Sequence, residues 1–441
     1  MKNGWLCGVA LAALVVAGSA QAADLKGAPV YKASPIAAYN WTGFYLGVNT
    51  GVGASQIRTT FPDVAGVFID RGGSVFAGGA QAGFNWQFAP QWVAGIEGDV
   101  SFLGINRSLR DLSGFADGFG VKTDGYGTIR GRLGYTTGPS LFYVTGGVAF
   151  VNIKNSFDSF RSPLTLASES KTASGWIVGG GMETLLGGNW SAKAEYLYID
   201  AGSQDVFNPF FDSISHFDNR FSVYRYGLNY KFGGPAVAAA LPVYNWTGFY
   251  AGVNVGAGLS QDHVTGQFIV PPPIISAVDI ADRGFTGGMQ AGYNWQFSPN
   301  WVAGLEGDIG GLGINRSLID FSLTVGVKTD WYGTLRGRLG YSTGPALLYV
   351  TGGAAFVNIK NSLDQNLVHV VASKSESATG WTVGGGIETV LAQNWTAKTE
   401  YLYIDAGGQD VVNPFFAGVN RTAHFDNRFH VFRMGLNYKF N

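Results

Sequence analysis

The 441-residue chain contains 66 glycines, about twice the usual ~7%, and no Gly-x-y repeat, which excludes a collagen. Aromatic residues make up 14% of the chain, which argues against a disordered low-complexity protein, and after residue 22 no apolar run is long enough for a membrane helix. The net charge of −1 provides no basic surface for nucleic acid, so we expect no nucleic-acid partner.

The first 22 residues have the pattern of a secretory signal peptide. Lys2 precedes an apolar run, and Ala20-Gln21-Ala22 predicts cleavage after Ala22. The single cysteine, Cys7, lies inside this segment, so the exported chain has no disulfide and no thiolate metal site. Residues 23–40, with Pro29 and Pro35, are predicted to be a periplasmic lead-in.

Alternation of apolar with small or polar residues begins at Asn40-Trp41-Thr42-Gly43-Phe44-Tyr45. Phe44, Leu46 and Val48 then share one face of an extended strand. Eight such segments follow in the first half of the chain, at 42–56, 72–89, 92–105, 121–137, 140–154, 174–187, 190–203 and 219–232. The period of two predicts an all-β, antiparallel protein.

The links between these segments alternate in length. Tight turns are predicted at residues 89–91, 138–139 and 188–189, whereas 57–71, 106–120, 155–173 and 204–218 read as long polar loops. Short periplasmic turns and long extracellular loops are typical of an outer-membrane β-barrel. Aromatic residues near the tight turns are predicted to form the lower interfacial girdle, namely Trp41, Phe88, Trp92, Tyr135, Trp190 and Tyr230.

Residues 246–440 repeat the whole pattern. We therefore predict a first eight-stranded repeat at 41–232, a periplasmic linker at 233–245 and a second repeat at 246–441. The same predicted strands could form either two tandem eight-stranded barrels or one 16-stranded barrel. The linker, with Pro235 and Pro242, favours two barrels. Two small barrels imply a structural, surface-contact protein with plugged lumens, whereas a 16-stranded barrel implies a diffusion porin for small hydrophilic solutes.

Charged residues of both signs are predicted on the lumenal face of each repeat. They are Glu97, Asp99, Asp124, Arg130, Arg132, Glu183, Lys193, Glu195, Arg225 and Lys231 in the first repeat, and Glu306, Asp308, Asp330, Arg336, Arg338, Glu388, Lys398, Glu400, Arg433 and Lys439 in the second. Burial of an unpaired charge costs roughly several kcal/mol of desolvation free energy. The balanced signs therefore predict an internal salt-bridge network. The alternative interpretation is an ion-selective constriction.

Three other patterns have residue types found in catalytic or binding sites. Glu97 and Asp99 could act as an acid/base pair, but a narrow lumen gives them no access to substrate. His216-Phe217-Asp218 recurs as His424-Phe425-Asp426 in the last predicted loop, where a loop-packing or surface role is favoured over metal binding or nucleophile activation. Gly179-Gly180-Gly181 lacks the context of a phosphate-binding loop. We therefore expect no catalytic residue, cofactor or metal, and no enzyme.

Three motifs resemble the outer membrane immunogenic protein family, which comprises opacity-like eight-stranded barrels of alphaproteobacteria. They are the Asn-Trp-Thr-Gly-Phe-Tyr opening, Glu-Tyr-Leu-Tyr from Glu195 and Glu400, and Gly-Leu-Asn-Tyr-Lys-Phe ending at Phe232 and Phe440. The resemblance implies a surface-exposed porin-family protein of the outer membrane, in contact with its lipids and lipopolysaccharide. It also implies roles in envelope integrity and in contact with host or surface ligands through the loops.

The same resemblance implies insertion by the barrel-assembly machinery, with Phe232 and Phe440 as the assembly signal. This sequence departs from the family pattern in two respects: it holds two copies, and Asn441 follows the terminal Phe440.

Overall fold

The computed structural model describes residues 39–60, 68–110, 117–159, 165–208, 212–233, 243–268, 274–319, 323–365, 370–412 and 422–440. The predicted signal peptide and most of the lead-in lie outside these residues. No helix in the described part of the chain is long and apolar enough to cross a membrane.

Every regular element in the described ranges is a β-strand. The first repeat contains β1 (Gly43–Thr60), β2 (Phe68–Ala89), β3 (Trp92–Arg110), β4 (Asp117–Thr137), β5 (Ser140–Ser159), β6 (Thr165–Gly187), β7 (Trp190–Asn208) and β8 (Ser213–Lys231). The second contains β9 (Gly248–Phe268), β10 (Ile274–Ser298), β11 (Trp301–Ile319), β12 (Leu323–Ser342), β13 (Ala346–Gln365), β14 (Val370–Ala392), β15 (Trp395–Val412) and β16 (Thr422–Lys439).

Each repeat closes on itself. Strand β1 pairs with β8, from Tyr45 opposite Lys231 to Thr60 opposite His216, and β9 pairs with β16 in the same way. The result is two closed antiparallel barrels of eight strands each, and the prediction of two tandem barrels is confirmed. The 16-stranded alternative is wrong, because β8 gives its edge to β1 and not to β9.

Inward-facing glycines allow these narrow barrels to close. A Cβ atom on Gly147 would collide with the carbonyl oxygen of Ile129 on the adjacent strand β4, and one on Gly51 would collide with that of Tyr224 on β8. In contrast, a Cβ on the outward-facing Gly146 would lie 3.5 Å from its nearest neighbour, an ordinary contact. Strongly coiled strands bring the inner backbone surfaces this close, so glycine is required on the inner face in particular.

The strands are longer than the alternation predicts, and the predicted long loops are correspondingly shorter. Strands of 18 to 25 residues extend past the lipid-facing band on the side opposite the tight turns. Much of 57–71, 106–120, 155–173 and 204–218 is therefore strand. His216 and Asp218 lie on β8, and His424 and Asp426 on β16, so the prediction that they occupy a loop is wrong. The tight turns fall where they were predicted.

The outer surface carries exposed apolar side chains between two aromatic levels. On β2, Phe76 is 65% exposed and Trp86 is 59% exposed, ten residues apart. At a strand tilt of about 40° and ~3.3 Å per residue, this separation spans about 25 Å, the height of an outer-membrane apolar band. The prediction that Trp41 belongs to the girdle is wrong, because its side chain is buried inside the barrel base.

The two barrels contact each other through a part of their outer walls that is distinct from the exposed apolar surface. The aromatic rings of Tyr224 on β8 and Phe432 on β16, which occupy equivalent positions, lie 5.2 Å apart. The equivalent residues Met182 and Ile387 are buried in one cluster. Contact between equivalent positions is the pattern of an isologous interface, here formed within a single chain.

Polar groups also pair across this contact. Ser140 Oγ lies 2.6 Å from Thr389 Oγ1, and the Tyr226 hydroxyl donates to the Gly385 carbonyl oxygen at 2.7 Å. His430 is 5% exposed although it points outward, and its Nε2 lies 2.8 Å from Ser74 Oγ. Hydrogen bonds satisfy these polar side chains away from water, so this wall faces protein.

Candidate functional site

The lumen of each barrel is filled with side chains in successive layers. Along β5 the inward residues are first Leu141 and Tyr143, then Thr145 and Gly147 beside the charged residues, then an apolar group from Ala149 to Ile153. Asn155 and finally Phe157 follow, both fully buried. Apolar layers therefore lie on both sides of the charged layer. Strand β13 repeats the order, with Leu347 and Tyr349 at the base and Asn361 followed by Leu363 at the other end.

The charged layer of the first barrel contains four acids and four bases, all buried: Glu97, Asp99, Glu183, Glu195, Arg130, Arg132, Lys193 and Arg225. The guanidinium of Arg130 contacts three carboxylates, those of Glu97, Asp99 at 3.1 Å and Glu195 at 2.9 Å. Because the layer is neutral and its charges are hydrogen-bonded to each other, it can exist in a low-dielectric interior.

The remaining bases complete the network. Arg225 bridges Asp99 at 3.0 Å and Glu195 at 2.9 Å, and Lys193 Nζ lies 2.8 Å from a Glu97 oxygen. Arg132 donates to Glu183 at 2.9 Å and to Asn85 Oδ1 at 2.8 Å. The Tyr45 hydroxyl of the opening motif donates to Glu97 at 2.7 Å. The charges come from β3, β4, β6, β7 and β8, and the sequence placed them on one face of these strands.

The second barrel has the same contacts among equivalent residues. Arg336 contacts Glu306, Asp308 and Glu400, and Arg433 bridges Asp308 and Glu400. Lys398 lies 2.7 Å from Glu306, and Arg338 lies 3.0 Å from Glu388. Eight of the ten predicted lumenal charges in each repeat are therefore brought together.

Asp124 and Asp330 do not lie in the lumen, contrary to the prediction. Each is more than half exposed and pairs with a surface lysine, Lys122 at 3.4 Å and Lys328 at 2.9 Å. Register shifts between Thr123 and Tyr126, and between Thr329 and Tyr332, reverse which residues point inward. A bulge changes the phase of alternation, and nothing in the local apolar pattern announces it.

Lys231 and Lys439 lie at the rim beside the tight turns, outside the network. The ammonium of Lys439 donates to the Asn245 carbonyl oxygen and lies 4.9 Å from the centre of the Tyr244 ring. Burial raises the pKa of Tyr244 to about 12.

At the base of each lumen a tryptophan is buried. The indole N–H of Trp41 donates to the Thr136 hydroxyl at 3.2 Å, and that of Trp246 donates to the Ser342 hydroxyl at 3.0 Å. The opening motif therefore closes the end of each lumen that lies beside the tight turns.

A layer of amides lies above the charged layer, and sequence reasoning missed it. Asn155 donates to Gln204 at 2.7 Å in the first barrel, and Asn361 to Gln409 at 2.6 Å in the second. The second barrel adds Asp262, which is fully buried and has no hydrogen-bond partner for either carboxylate oxygen within the described residues. The equivalent residue in the first barrel is Ile57, a difference that a comparison of the repeats would have revealed.

The repeated His-Phe-Asp motif splits between the two sides of the wall. Phe217 and Phe425 are fully buried in the lumen, while the histidines and aspartates point outward. His216 Nδ1 lies 2.5 Å from Asp205, and His424 Nδ1 lies 2.7 Å from Asp410. In the described ranges, no group of three or more histidine, cysteine or acidic side chains is arranged to hold a metal ion.

Comparison with known proteins identifies a family model, described as an outer membrane protein beta-barrel domain, at residues 9–232 and again at 234–440. A 31 kDa outer-membrane immunogenic protein of Brucella melitensis is 36% identical over 220 residues, covering 47% of this chain and 89% of that protein. A 22 kDa outer membrane protein of Rhizobium leguminosarum bv. viciae is 36% identical over 173 residues, covering 39% of this chain and 70% of that protein.

Among solved structures, Ail, the attachment invasion locus protein of Yersinia pestis, matches with 15% identity and a TM-score of 0.25. That match covers 44% of this chain and 99% of Ail. The Brucella and Rhizobium relatives each match less than half of this chain, which contains the family domain twice.

Proposed function

The chain belongs, in tandem, to the outer membrane protein beta-barrel domain family, and from this premise we propose that it is a non-conducting structural protein of the bacterial outer membrane. Its proposed work is to reinforce the envelope and to present the extended strand ends for contact outside the cell. The observation that carries the proposal is the neutral layer of eight interlocked charges across each lumen.

The plugged lumen follows from energetics as well as from shape. Passage of a hydrated solute would require separating ion pairs such as Arg130 with Glu97 while apolar side chains close both ends. Breaking a buried pair without a replacement costs about 3–5 kcal/mol, and this layer contains several such pairs. A water-filled porin needs a wider barrel of about 16 strands.

Single-channel recording in planar bilayers tests this proposal. The purified, folded protein should give no stable, step-like conductance, whereas a known porin prepared in the same detergent should. Large uniform steps from pure protein would support solute diffusion and overturn the proposal. A strain lacking the gene should also become more sensitive to detergents and bile salts, and should recover with the full-length gene.

We further propose that the chain catalyses no reaction. The competing class is a surface hydrolase that acts on lipid or peptide through the His216/Asp218 and His424/Asp426 pairs. The double variant His216→Ala/His424→Ala should retain surface display and detergent resistance. Loss of a measurable hydrolysis of lipopolysaccharide or peptide in that variant would contradict the proposal.

Export and assembly of the chain are proposed from its membership of the family. We propose cleavage after Ala22, folding by the barrel-assembly machinery with Phe440 as its recognition signal, and contact of the apolar band with lipopolysaccharide. Phe440 is 51% exposed, and its amide donates to the Phe249 carbonyl oxygen at 2.8 Å. Phe440→Ala should reduce the amount of folded barrel in the outer membrane, while N-terminal sequencing of wild-type protein should begin at Ala23.

A further inference from the structure

Four polar side chains form a row on the outer wall of the second barrel, beyond the apolar band. Asp410 on β15 is the register partner of His424 on β16, and Asp426 on β16 is the register partner of His263 on β9. The residues between them, among them Phe425 and Val264, are buried in the lumen. Alternation therefore turns all four polar side chains outward on three adjacent strands.

Distances within this row match those of a metal ligand and its supporting carboxylate. His424 Nδ1 lies 2.7 Å from Asp410 Oδ1, and its other nitrogen, Nε2, lies 3.3 Å from Asp426 Oδ1. Two ligands bound tetrahedrally at about 2.0–2.1 Å from one Zn²⁺ lie about 3.3 Å apart. A carboxylate on the far nitrogen of a ligating histidine is the usual means of fixing its orientation.

We propose that His424, Asp426 and His263 bind one divalent transition-metal ion, with Asp410 orienting His424. Asp426 faces His424 Nε2 at 3.3 Å, and the metal ion would take the place of the proton between them. His263 completes the set by rotation of its side chain, because paired residues on adjacent strands have Cβ atoms only about 4.5–5.5 Å apart.

The ligand types select the class of ion. Two imidazoles and one carboxylate suit Zn²⁺, whereas Ca²⁺ and Mg²⁺ prefer oxygen ligands alone. The side chain of His424 is 47% exposed and that of Asp426 34% exposed, so an ion can reach the site from outside. Three protein ligands leave a fourth position for water or for a ligand from another molecule.

The first barrel provides an internal control. Asp205, His216 and Asp218 repeat Asp410, His424 and Asp426, but Arg58 occupies the position of His263 and is the register partner of Asp218. A guanidinium cannot ligate a metal, and its positive charge opposes a cation. The two repeats thus differ at the one residue on which the site depends.

The test is calorimetric titration of ZnCl₂ into full-length, folded protein that lacks a polyhistidine tag, at neutral pH in detergent. Wild type should bind one Zn²⁺ per chain, and His263→Arg should bind none. Arg58→His, which gives the first barrel the same set, should bind two. Ca²⁺ should bind to none of these variants at the same positions. Visible absorption of Co²⁺-loaded wild type should show the strong bands of tetrahedral coordination.

Each outcome decides the proposal. Failure of wild type to bind Zn²⁺, or unchanged binding by His263→Arg, would overturn it. A second Zn²⁺ bound by Arg58→His would support it through gain of function, independently of any loss caused by misfolding. A single Zn²⁺ in that variant would refute the role assigned to this position. The heat-dependent gel mobility typical of folded barrels should be the same in all variants.

Discussion

At the scale of single residues, pairing decides whether a buried charge is tolerated. Glu97 contacts Arg130, Lys193 and Tyr45, and all of its neighbours in the charged layer have partners. Asp262 lies two layers away, equally buried, without a hydrogen-bond partner in the described part of the chain. Buried carboxylates are therefore paired in one layer and lack a partner in another.

Removing one charge from the network should be strongly destabilising. We expect Glu97→Ala to lower the free energy of unfolding by about 3–5 kcal/mol, because it leaves Arg130 and Lys193 buried with unmatched charge. Asp124→Ala is the matched control, since Asp124 pairs with the exposed Lys122, and should change stability by less than about 1 kcal/mol. Urea titration of detergent-folded protein measures both, and equal effects would contradict the assignment.

Asp262 permits the opposite prediction. Asp262→Ile, which introduces the residue of the first barrel, should raise the stability of the second barrel by roughly 1–3 kcal/mol, because an unpartnered buried polar group is removed. The reciprocal change Ile57→Asp should lower the stability of the first barrel. Thermal unfolding followed by circular dichroism in detergent tests the pair. A loss of stability in Asp262→Ile would show that the carboxylate has a favourable partner.

At the scale of strands, the two faces of the wall obey different steric rules. The inner faces of β4 and β5 approach so closely that a side chain at Gly147 would collide with backbone atoms. The outer face at Gly146 is open to lipid, with its nearest neighbour at an ordinary distance. Of these two adjacent glycines, only the inward-facing Gly147 is required by sterics.

Gly147→Leu and Gly146→Leu test this difference. Gly147→Leu should prevent closure of the first barrel, because the clash involves the backbone of β4 and cannot be relieved by moving a side chain. Gly146→Leu should fold normally, with the added side chain in lipid. The fraction of protein with the faster gel mobility of a folded barrel, before and after heating, measures closure. Equal folding of both variants would contradict the close approach of β4 and β5.

At the scale of the whole molecule, the two barrels pack against each other through their outer walls. Ser140 and Thr389 approach within 2.6 Å across this contact. A cysteine pair at these positions can be read without interference, because the only natural cysteine, Cys7, lies in the predicted signal peptide. This contact distinguishes a packed pair of barrels from two barrels joined only by a linker.

The variant Ser140→Cys/Thr389→Cys should form an intramolecular disulfide when oxidised in the membrane. Joining residues so far apart in sequence should change the mobility of the denatured chain until a reductant is added. Val48→Cys/Val253→Cys is the control, since both side chains face lipid at 61% and 55% exposure, and it should not form this bond. Failure of the first pair to link would contradict the packing of the barrels.

The sequence by itself determined the strands, the tight turns, the repeat and most of the lumenal face. Alternation with a period of two is a local property, because each residue faces lipid or lumen according to its place in one strand. Trp86 and Glu97 could therefore be placed on opposite faces without knowledge of any partner strand. The His-Phe-Asp motif was visible for the same reason, although its side chains could not be paired.

Tertiary structure decided the features that depend on partners distant in sequence. Closure of β8 on β1 competes with pairing of β8 and β9, and both use the same backbone hydrogen bonds, so alternation cannot choose between them. A bulge reverses the phase at Asp124 without a sequence signal, and burial of Tyr224 against Phe432 depends on the neighbouring barrel. Strand patterns specify a face, whereas register and packing specify what that face meets.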